Sequence, residues 1–278
     1  MEVIVRNRKS KFVRLFDKTP AGVRCPHFYE LILSNGCPFE CAYCYLRLTF
    51  RGNKKPVLFC NRWEEVELEL EAIPSGVFST GELADSLAVN PPLLSRALAY
   101  FQNQQSRYLL LTTKSTSIGP FLAMKPTPQV IISFSINTAE MANRFEAGAP
   151  PPEKRLQAAE KLLENGWRVR IRLDPIIYEE VNFIKYKTLC TVIANLKPER
   201  VTVGTLRQYP GLHRFSPGAP RQGLVKATDG RLRYPKQLRL HIYQQIGNWL
   251  GFQPALCKET EEVWKELGWR FYGCNCTK

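Results

Sequence analysis

The sequence predicts an α/β fold built on parallel strands. Short apolar runs rich in Val, Ile and Leu recur along the chain, and amphipathic segments of helical period separate them. Such runs are typical of parallel strands buried on both faces. A repeated strand–helix order favours right-handed crossovers between neighbouring strands. No linker is long or polar enough to demand a second domain, and 278 residues suffice for one large core.

The pattern predicts six strands and six helices. We expect strands at residues 28–33, 76–79, 108–113, 130–136, 167–173 and 200–206. We expect helices at residues 63–72, 91–102, 153–165, 183–195, 238–249 and 259–267. Pro91 and Pro92 suit a helix start, and Asn165-Gly166 suits a helix end. Six strands are too few for a closed eight-stranded barrel, and an open doubly wound sheet fits the pattern as well as a partial barrel does.

The two ends of the chain differ from the middle. Residues 1–25 are basic, reach a turn-like Thr19-Pro20-Ala21-Gly22, and are expected to form an N-terminal arm. Residues 26–210 hold the strand–helix repeats. Residues 211–278 form a C-terminal extension, which could be part of one domain with them; residues 207–234, rich in Arg, Pro and Gly, are expected to be loops.

The chain has a large excess of positive charge. It carries 39 Lys and Arg against 25 Asp and Glu, a formal net charge of +14. The basic residues concentrate at 6–18, 47–55 and 207–239. Such an excess favours polyanions, so we expect a nucleic acid partner, although a solvated basic surface is the alternative and charge does not distinguish DNA from RNA. No apolar stretch suits a membrane span or a secretory signal, and a cytoplasmic location without membrane contact is expected.

Three closely spaced cysteines carry the strongest chemical signal. Cys37, Cys41 and Cys44 follow the first predicted strand and an Asn35-Gly36 turn in the spacing C-x3-C-x2-C. A [4Fe–4S] cluster usually takes four thiolates, so a loop with three leaves one iron open to another ligand. Structural zinc sites favour paired cysteines with a nearby fourth ligand, which is absent here. Nine cysteines without a secretory signal suit metal ligands better than disulfides.

The motif, read as Cys41-Ala-Tyr-Cys44-Tyr-Leu46, resembles the cysteine loop of the radical S-adenosylmethionine (SAM) enzymes. Leu111-Thr-Thr-Lys114, Phe134-Ser-Ile-Asn-Thr138 and Asn143-Arg-Phe-Glu-Ala-Gly148 with Arg155 resemble the spore photoproduct lyase group within that superfamily, over roughly residues 28–178. The resemblance implies an open (β/α)6 TIM-like partial barrel with a C-terminal helical extension. It also implies that the open iron binds SAM, that one electron yields a 5′-deoxyadenosyl radical, and that flavodoxin or ferredoxin supplies the electron.

The same resemblance, together with the polar residues at strand ends, predicts which residues contact the cofactor. Tyr43 takes the slot that packs near the adenine, and Gly81-Glu82 takes the slot that meets the methionine ammonium. Polar side chains at the carboxyl ends of barrel strands face the mouth, which makes four further residues candidate cofactor contacts. These are Lys114, Ser135, Asn137 and Arg172. Tyr45 and Glu82 are the candidate catalytic residues.

One departure from the group bears on the substrate. The lyase has a hydrogen-donor cysteine in a segment that resembles residues 78–85, and here Glu82 falls nearest to that slot. A carboxylate does not give up a hydrogen atom as readily as a thiol. We therefore expect repair or modification of a nucleic acid base or sugar rather than the same photoproduct repair.

The C-terminal cysteines form a second candidate site. Cys257, Cys274 and Cys276 could hold a second iron–sulfur cluster, with a fourth position filled by Cys25, Cys60 or substrate. The alternatives are buried free thiols or a terminal redox pair that donates hydrogen.

The function expected from the sequence is therefore radical SAM chemistry on nucleic acid. Two rivals stay open: the same chemistry on a peptide or small metabolite, and a non-catalytic zinc-containing module that binds nucleic acid.

Overall fold

The computed structural model describes residues 2–52 and 55–278. Residues 53 and 54 of the predicted basic cluster at 47–55, and Met1 of the predicted arm, lie outside this range. The main sheet has eight strands, and they are β1 (Val13–Phe16), β2 (Phe28–Leu31), β3 (Gly76–Ser79), β4 (Arg107–Thr113), β5 (Val130–Ser135), β6 (Arg168–Ile176), β7 (Arg200–Thr205) and β8 (Ala255–Leu256).

The order of the strands identifies the architecture. The strands lie side by side in chain order from β1 to β8. Strands β2 to β8 are parallel, and β1 runs antiparallel to β2. A doubly wound sheet would reverse its order at a switch point, and this sheet does not. No pairing joins β1 to β8 among the described residues, so the prediction of an open, barrel-like α/β fold is confirmed.

Helices connect the strands and cover the outer face of the sheet. They span Leu46–Thr49, Trp63–Glu71, Ser86–Val89, Leu93–Gln102, Gly119–Leu122, Ala139–Phe145, Pro152–Glu164, Glu180–Phe183, Lys185–Leu196, Lys236–Leu250 and Glu261–Glu266. Short strands lie at Ile4–Arg6, Val23–Arg24, Ser34–Asn35, Glu40–Cys41, Val57–Phe59, Glu146–Ala147, Arg207–Gln208, Val225–Lys226, Leu232–Arg233 and Glu259–Thr260, with a 3-10 turn at Leu212–Arg214. The six predicted helices are present, and none of their ends is shifted by more than two residues.

Successive side chains of each strand alternate between the core beneath the helices and the barrel interior. In β5, Ile132 and Phe134 belong to the large core beneath the helices. Ile131 instead joins a small interior cluster with Phe28, Val77 and Leu110. Residues of the same parity further along each strand therefore also face the interior, nearer the carboxyl ends. This alternation brings polar side chains from several strands to one place.

Two strands of the main sheet were not predicted from the sequence. Strand β1 lies inside the predicted N-terminal arm, and its pairing with β2 buries Phe12 and Val13. It is an edge strand in which Val13 is buried, Arg14 and Leu15 are exposed and Phe16 is half-buried, so neither face is continuously apolar. Strand β8 has two residues and no periodicity to detect. None of the described helices is long and apolar enough to cross a bilayer.

Candidate functional site

A cavity of about 280 Å³ opens at the carboxyl ends of the parallel strands. It is lined by most of the residues that the sequence nominated, namely Cys37, Cys41, Tyr43, Cys44, Tyr45, Gly81, Glu82, Lys114, Ser135 and Arg172. They come from the loop after β2 and from the ends of β3, β4, β5 and β6. Because parallel strands end at the same edge, residues far apart in sequence meet here.

The cysteine loop is held in place by a buried acid. The segment Glu40–Cys41 pairs antiparallel with Glu146–Ala147, and the Tyr43 hydroxyl donates a hydrogen bond to the Glu146 carboxylate. Glu146 also forms an ion pair of 2.6 Å with Arg155, whose side chain is fully buried. Burial of Glu146 would raise its pKa, but the positive charges of Lys114 and Arg155 lower it, so the carboxylate is ionised.

The three thiols of the loop share one wall of the cavity. Burial raises the pKa of Cys41 to about 12 and also raises the pKa of Cys37 and of Cys44. All nine cysteines are free thiols, so no disulfide competes for them. Within residues 2–52 and 55–278, no three Cys, His, Asp or Glu side chains are arranged to hold a single metal ion. A donor set of three thiols on one wall suits a cluster with one iron left for another ligand.

Gly81 and Glu82 line the cavity together with the cysteine loop. A Cβ atom on Gly81 would lie 2.7 Å from the Thr112 Cβ, so only glycine lets the loop pass this close to β4. The Tyr45 hydroxyl donates a hydrogen bond to the backbone carbonyl of Glu82. The Glu82 carboxylate lies 3.7 Å from the Lys258 ammonium, which reaches in from the far edge of the open barrel. Glu82 is thus an acid held in the cavity from two sides.

Asp85 connects this loop to the end of β4. Its buried carboxylate accepts hydrogen bonds from the Thr113 hydroxyl at 2.6 Å, the Lys114 backbone N–H at 2.7 Å and the Ala88 backbone N–H at 3.1 Å. The last of these caps the helix Ser86–Val89. All its bonds go to neighbouring loops and the strand end, so Asp85 fixes where Lys114 enters the cavity.

Lys114 is a cation beside the cysteine loop. Its ammonium lies 5.6 Å from the centroid of the Tyr43 ring. Burial alone would lower the pKa of Lys114, but the nearby Glu146 carboxylate raises it, so the side chain is charged at neutral pH. A cation in this position can attract an anionic group that enters the cavity beside the thiols.

Two arginines and one acid form the next part of the wall. Asp174 accepts hydrogen bonds from Arg207 at 2.8 and 3.0 Å and another from Arg172. Burial would raise the pKa of Asp174, but Arg207 and Arg172 lower it well below the usual range. A Cβ on Gly204 would lie 2.4 Å from the Asp174 carboxylate, so this ion cluster requires glycine there. With two guanidinium groups against one carboxylate, one positive charge is left over.

Two of the C-terminal cysteines, Cys257 and Cys276, both interact electrostatically with Arg172. The Cys257 sulfur accepts hydrogen bonds from Arg207 at 3.2 Å and from Arg172 at 3.5 Å. Cys276 interacts with Cys274 and packs against the interior cluster around Phe28. None of the three lines the cavity. The second metal site therefore stays a prediction. The sulfur of one of its proposed ligands, Cys257, already accepts hydrogen bonds from two guanidinium groups.

The family of this chain follows from its match to known proteins. The family model for spore photoproduct lyase matches residues 22–222. The chain belongs to the spore photoproduct lyase family. The lyase of Clostridium acetobutylicum is 29% identical over 164 residues, which cover 55% of this chain and 47% of that protein. The lyase of Geobacillus sp. (strain Y412MC61) is 23% identical over 264 residues, covering 88% of this chain and 74% of that protein.

Solved structures confirm the fold of this family member. A spore photoproduct lyase complexed with dinucleoside spore photoproduct superimposes with a TM-score of 0.74 at 18% identity, covering 91% of this chain and 80% of that one. Streptococcus suis SuiB bound to S-adenosylmethionine gives 0.55 at 13% identity, covering 88% and 55%. At these identities the likeness concerns the fold alone. The chain spans about half the length of the lyases from Clostridium acetobutylicum and Bacillus subtilis.

In this spore photoproduct lyase family member, one of the nominated cofactor contacts, Asn137, does not line the cavity. The Asn137 amide donates a hydrogen bond to the Pro175 carbonyl at 3.1 Å, and its oxygen accepts one from the Tyr186 hydroxyl at 2.6 Å. Asn137 is an even number of residues from Ile131, which faces the barrel interior, but it lies beyond the end of β5, where the chain turns. Its role as a cofactor contact stays a prediction.

Other residues of the site were not predicted from the sequence. Glu146 and Arg155 lay within the segments that carried the family resemblance, but nothing indicated that they would hold the cysteine loop. Lys258, Tyr209 and Arg231 also line or border the cavity, and none belongs to a motif. The excess of arginine in residues 207–239 was the one signal that pointed towards the last two.

Proposed function

We propose that this chain is a radical SAM enzyme whose substrate is a nucleic acid. The observation that carries the proposal is the convergence of the three-cysteine loop, the Glu82 carboxylate and the Lys114 and Arg172 cations on one cavity. A family model that covers residues 22–222 supports the same chemistry. Free thiols throughout the chain suit a reducing compartment such as the cytoplasm.

The donor sets of the cavity fit the two cofactors of such an enzyme. Cys37, Cys41 and Cys44 would hold a [4Fe–4S] cluster. When bound, that cluster supplies the electron that cleaves SAM to a 5′-deoxyadenosyl radical; a flavodoxin or ferredoxin is the proposed electron source. The residues of the chain bind, orient and shield these groups.

The charged side chains of the cavity suit the oppositely charged groups of SAM. The Glu82 carboxylate, kept in place by Tyr45 and Lys258, suits the methionine ammonium. Arg172 belongs to the ion cluster with surplus positive charge, which suits a carboxylate. Tyr43 offers an aromatic ring beside the thiols for the adenine. Lys114, Gly81 and Ser135 complete the proposed contact set.

The substrate is assigned on charge and on what one relative binds. A net charge of +14 favours a polyanion, and one solved relative is complexed with dinucleoside spore photoproduct. The loop after β3 presents Glu82 to the cavity and contains no cysteine. We therefore propose repair of another DNA lesion, or modification of a base or sugar. Radical chemistry on a peptide or metabolite is the alternative.

The test is 5′-deoxyadenosine formation under anaerobic conditions with SAM and a chemical reductant. Wild-type protein should form it, Cys41→Ala should not, and Cys60→Ala should match wild type because Cys60 is exposed and outside the loop. Formation of 5′-deoxyadenosine by Cys41→Ala would refute the assignment. Oligonucleotide binding that weakens with salt would separate nucleic acid from a peptide or metabolite substrate.

The second cluster is tested by counting iron and sulfide. A Cys274→Ala/Cys276→Ala variant that loses about four irons per chain would establish a second cubane, given the stoichiometry of such clusters. An unchanged iron content would show that Cys274 and Cys276 bind no cluster, and it would not affect the assignment of the first cluster.

A further inference from the structure

A second hollow lies beside the cysteine loop and is distinct from the large cavity. It measures about 30 Å³, and the residues that line it include Cys37, Cys44, Phe39 and Phe50. Cys37 and Cys44 also line the large cavity, whereas Cys41 lines the large cavity alone. Two of the three thiols of the loop therefore lie between the cavity proposed for SAM and this hollow.

The hollow is open to solvent and partly apolar. Its edge includes Glu40 and Gly52, which are exposed. Phe39, Leu46 and Phe50 supply apolar walls, and each keeps part of its surface accessible. Protein interfaces commonly have an apolar centre with a charged edge, and electron-transfer interfaces are among the smallest. The hollow and its surroundings have the composition of such a contact.

The chain around the hollow is basic. Residues 41–62 contain five Lys and Arg and no Asp or Glu. Arg51 is exposed and forms no ion pair within residues 2–52 and 55–278. The acid at the edge of the hollow, Glu40, has its carboxylate 4.0 Å from the Arg47 guanidinium. An acidic partner that approaches this side of the protein therefore meets a net positive charge.

The position of Arg51 is fixed relative to the thiols. The short helix Leu46–Thr49 comes directly after the cysteine loop, and Arg51 follows it in the left-handed conformation with a φ of 50°. The Gly52 backbone N–H donates a hydrogen bond of 2.8 Å to the Arg47 carbonyl. The Arg47 guanidinium in turn donates one of 3.2 Å to the Cys41 carbonyl. The exposed charge of Arg51 is thus held at a set place beside the cysteine loop.

We propose that the hollow and its basic edge are the docking site of a flavodoxin, which delivers the electron that the cluster requires. This deepens the proposed function and rests on it. The flavodoxin loses one electron and the cluster gains it, and no atom is transferred. A flavodoxin is an acidic protein that exposes the apolar edge of its flavin, which suits the Phe39 and Phe50 walls next to Arg51. Docking on this side leaves the large cavity open for SAM and substrate.

The first experiment measures binding without catalysis. Isothermal titration calorimetry gives the Kd of oxidised flavodoxin for cluster-reconstituted protein at 50 mM NaCl, with no SAM and no reductant. Arg51→Gln should weaken binding about 2- to 5-fold, the range for one exposed ion pair. Arg51→Glu should weaken it about 4- to 25-fold, because charge reversal removes the attraction and adds a repulsion of similar size. At 300 mM NaCl the differences should shrink.

Lys197 provides the matched control. It is exposed, carries the same charge and ends the helix Lys185–Leu196 in the same left-handed conformation, with a φ of 51°. It precedes β7 and therefore lies at the amino ends of the strands, away from the cysteine loop. Lys197→Gln and Lys197→Glu should leave the Kd unchanged. Thermal melting of each variant against wild type establishes that all four are folded.

The second experiment compares two sources of electrons. With limiting flavodoxin, its NADPH-dependent reductase and SAM, Arg51→Glu should form 5′-deoxyadenosine about 4- to 25-fold more slowly than wild type, in line with its weaker binding. With dithionite, a small reductant that needs no docking surface, Arg51→Glu should match wild type. Lys197→Glu should match wild type with both reductants.

Three results would overturn the proposal. The first is Arg51→Glu behaving like Lys197→Glu in the binding measurement. The second is a ferredoxin that binds more tightly than flavodoxin with the same dependence on Arg51. The third is a 12-nucleotide oligothymidylate that displaces flavodoxin and depends on Arg51 in the same way, which would make this surface a nucleic acid contact. Absence of 5′-deoxyadenosine with dithionite in wild-type protein would instead refute the proposed chemistry, while the Kd values would still decide whether flavodoxin docks here.

Discussion

The ion pair between Glu146 and Arg155 is predicted to stabilise the fold and the cysteine loop together. Both side chains are essentially unexposed, and 2.6 Å separates their charged atoms. Glu146→Gln removes the negative charge and leaves the guanidinium buried alone, which costs about 3–5 kcal/mol for a pair of this kind. Arg155 keeps hydrogen bonds to the Pro150 carbonyl at 2.6 Å and the Ser135 carbonyl at 3.0 Å, so we expect the lower end, about 3 kcal/mol.

The assay is urea unfolding of wild-type and variant protein compared without metal. Glu153→Gln is the control, since Glu153 is exposed on the adjoining helix, and it should change the free energy of unfolding by less than about 0.5 kcal/mol. The double variant Glu146→Gln/Arg155→Met should lose less than the sum of the single losses, because neither charge is then left unpaired. A Glu146→Gln loss below about 1 kcal/mol, or additive losses in the double variant, would refute the reasoning.

Two further predictions concern other charged groups. Gly204→Ala should cost about 3 kcal/mol in urea unfolding, because its Cβ would strike the Asp174 carboxylate at 2.4 Å, whereas Gly218→Ala, with open space around it, should be nearly neutral. Glu199 is predicted to make stability fall in acid. Burial would raise its pKa, but hydrogen bonds from Arg170 and a second arginine lower it to about 2, below the unfolded value of 4.5. Its contribution is therefore complete above pH 4.5 and is lost as the pH falls towards 2. After allowance for solvent at this partly exposed pair, Glu199→Gln should remove about 1 kcal/mol of the loss measured between pH 6 and pH 3; an unchanged pH dependence would contradict the assignment.

The sequence predicted the parts of the fold that depend on local pattern. Six strands read as continuous apolar runs because helices cover one face and the barrel interior covers the other. Strand β1 was not recognised because its two central residues, Arg14 and Leu15, are exposed, and β8 is too short to show a period. The strand order could not be read from periodicity, since partial barrels and doubly wound sheets share the same alternation of elements.

The site was predictable where chemistry is local and unpredictable where it depends on distant contacts. Cys37, Cys41 and Cys44 lie in one loop, and Lys114 and Arg172 follow from the rule that strand ends face the mouth. The acid that holds Tyr43 is 103 residues away, and no spacing rule identifies it. Lys258 reaches Glu82 because the segment that follows it, Glu259–Thr260, pairs with Val23–Arg24 just before β2, a contact between residues far apart in sequence.

The central claim is that three thiols anchor a four-iron cluster with one iron left for SAM. Anaerobic iron and sulfide analysis of reconstituted protein, with electron paramagnetic resonance of the reduced form, tests it most directly. We predict about four irons and four sulfides per cluster. The resonance signal of the reduced cluster should change when SAM is added. A variant with Cys37, Cys41 and Cys44 replaced by alanine should lose this cluster and its signal. About one zinc per chain and no iron, unchanged on addition of SAM, would contradict the account.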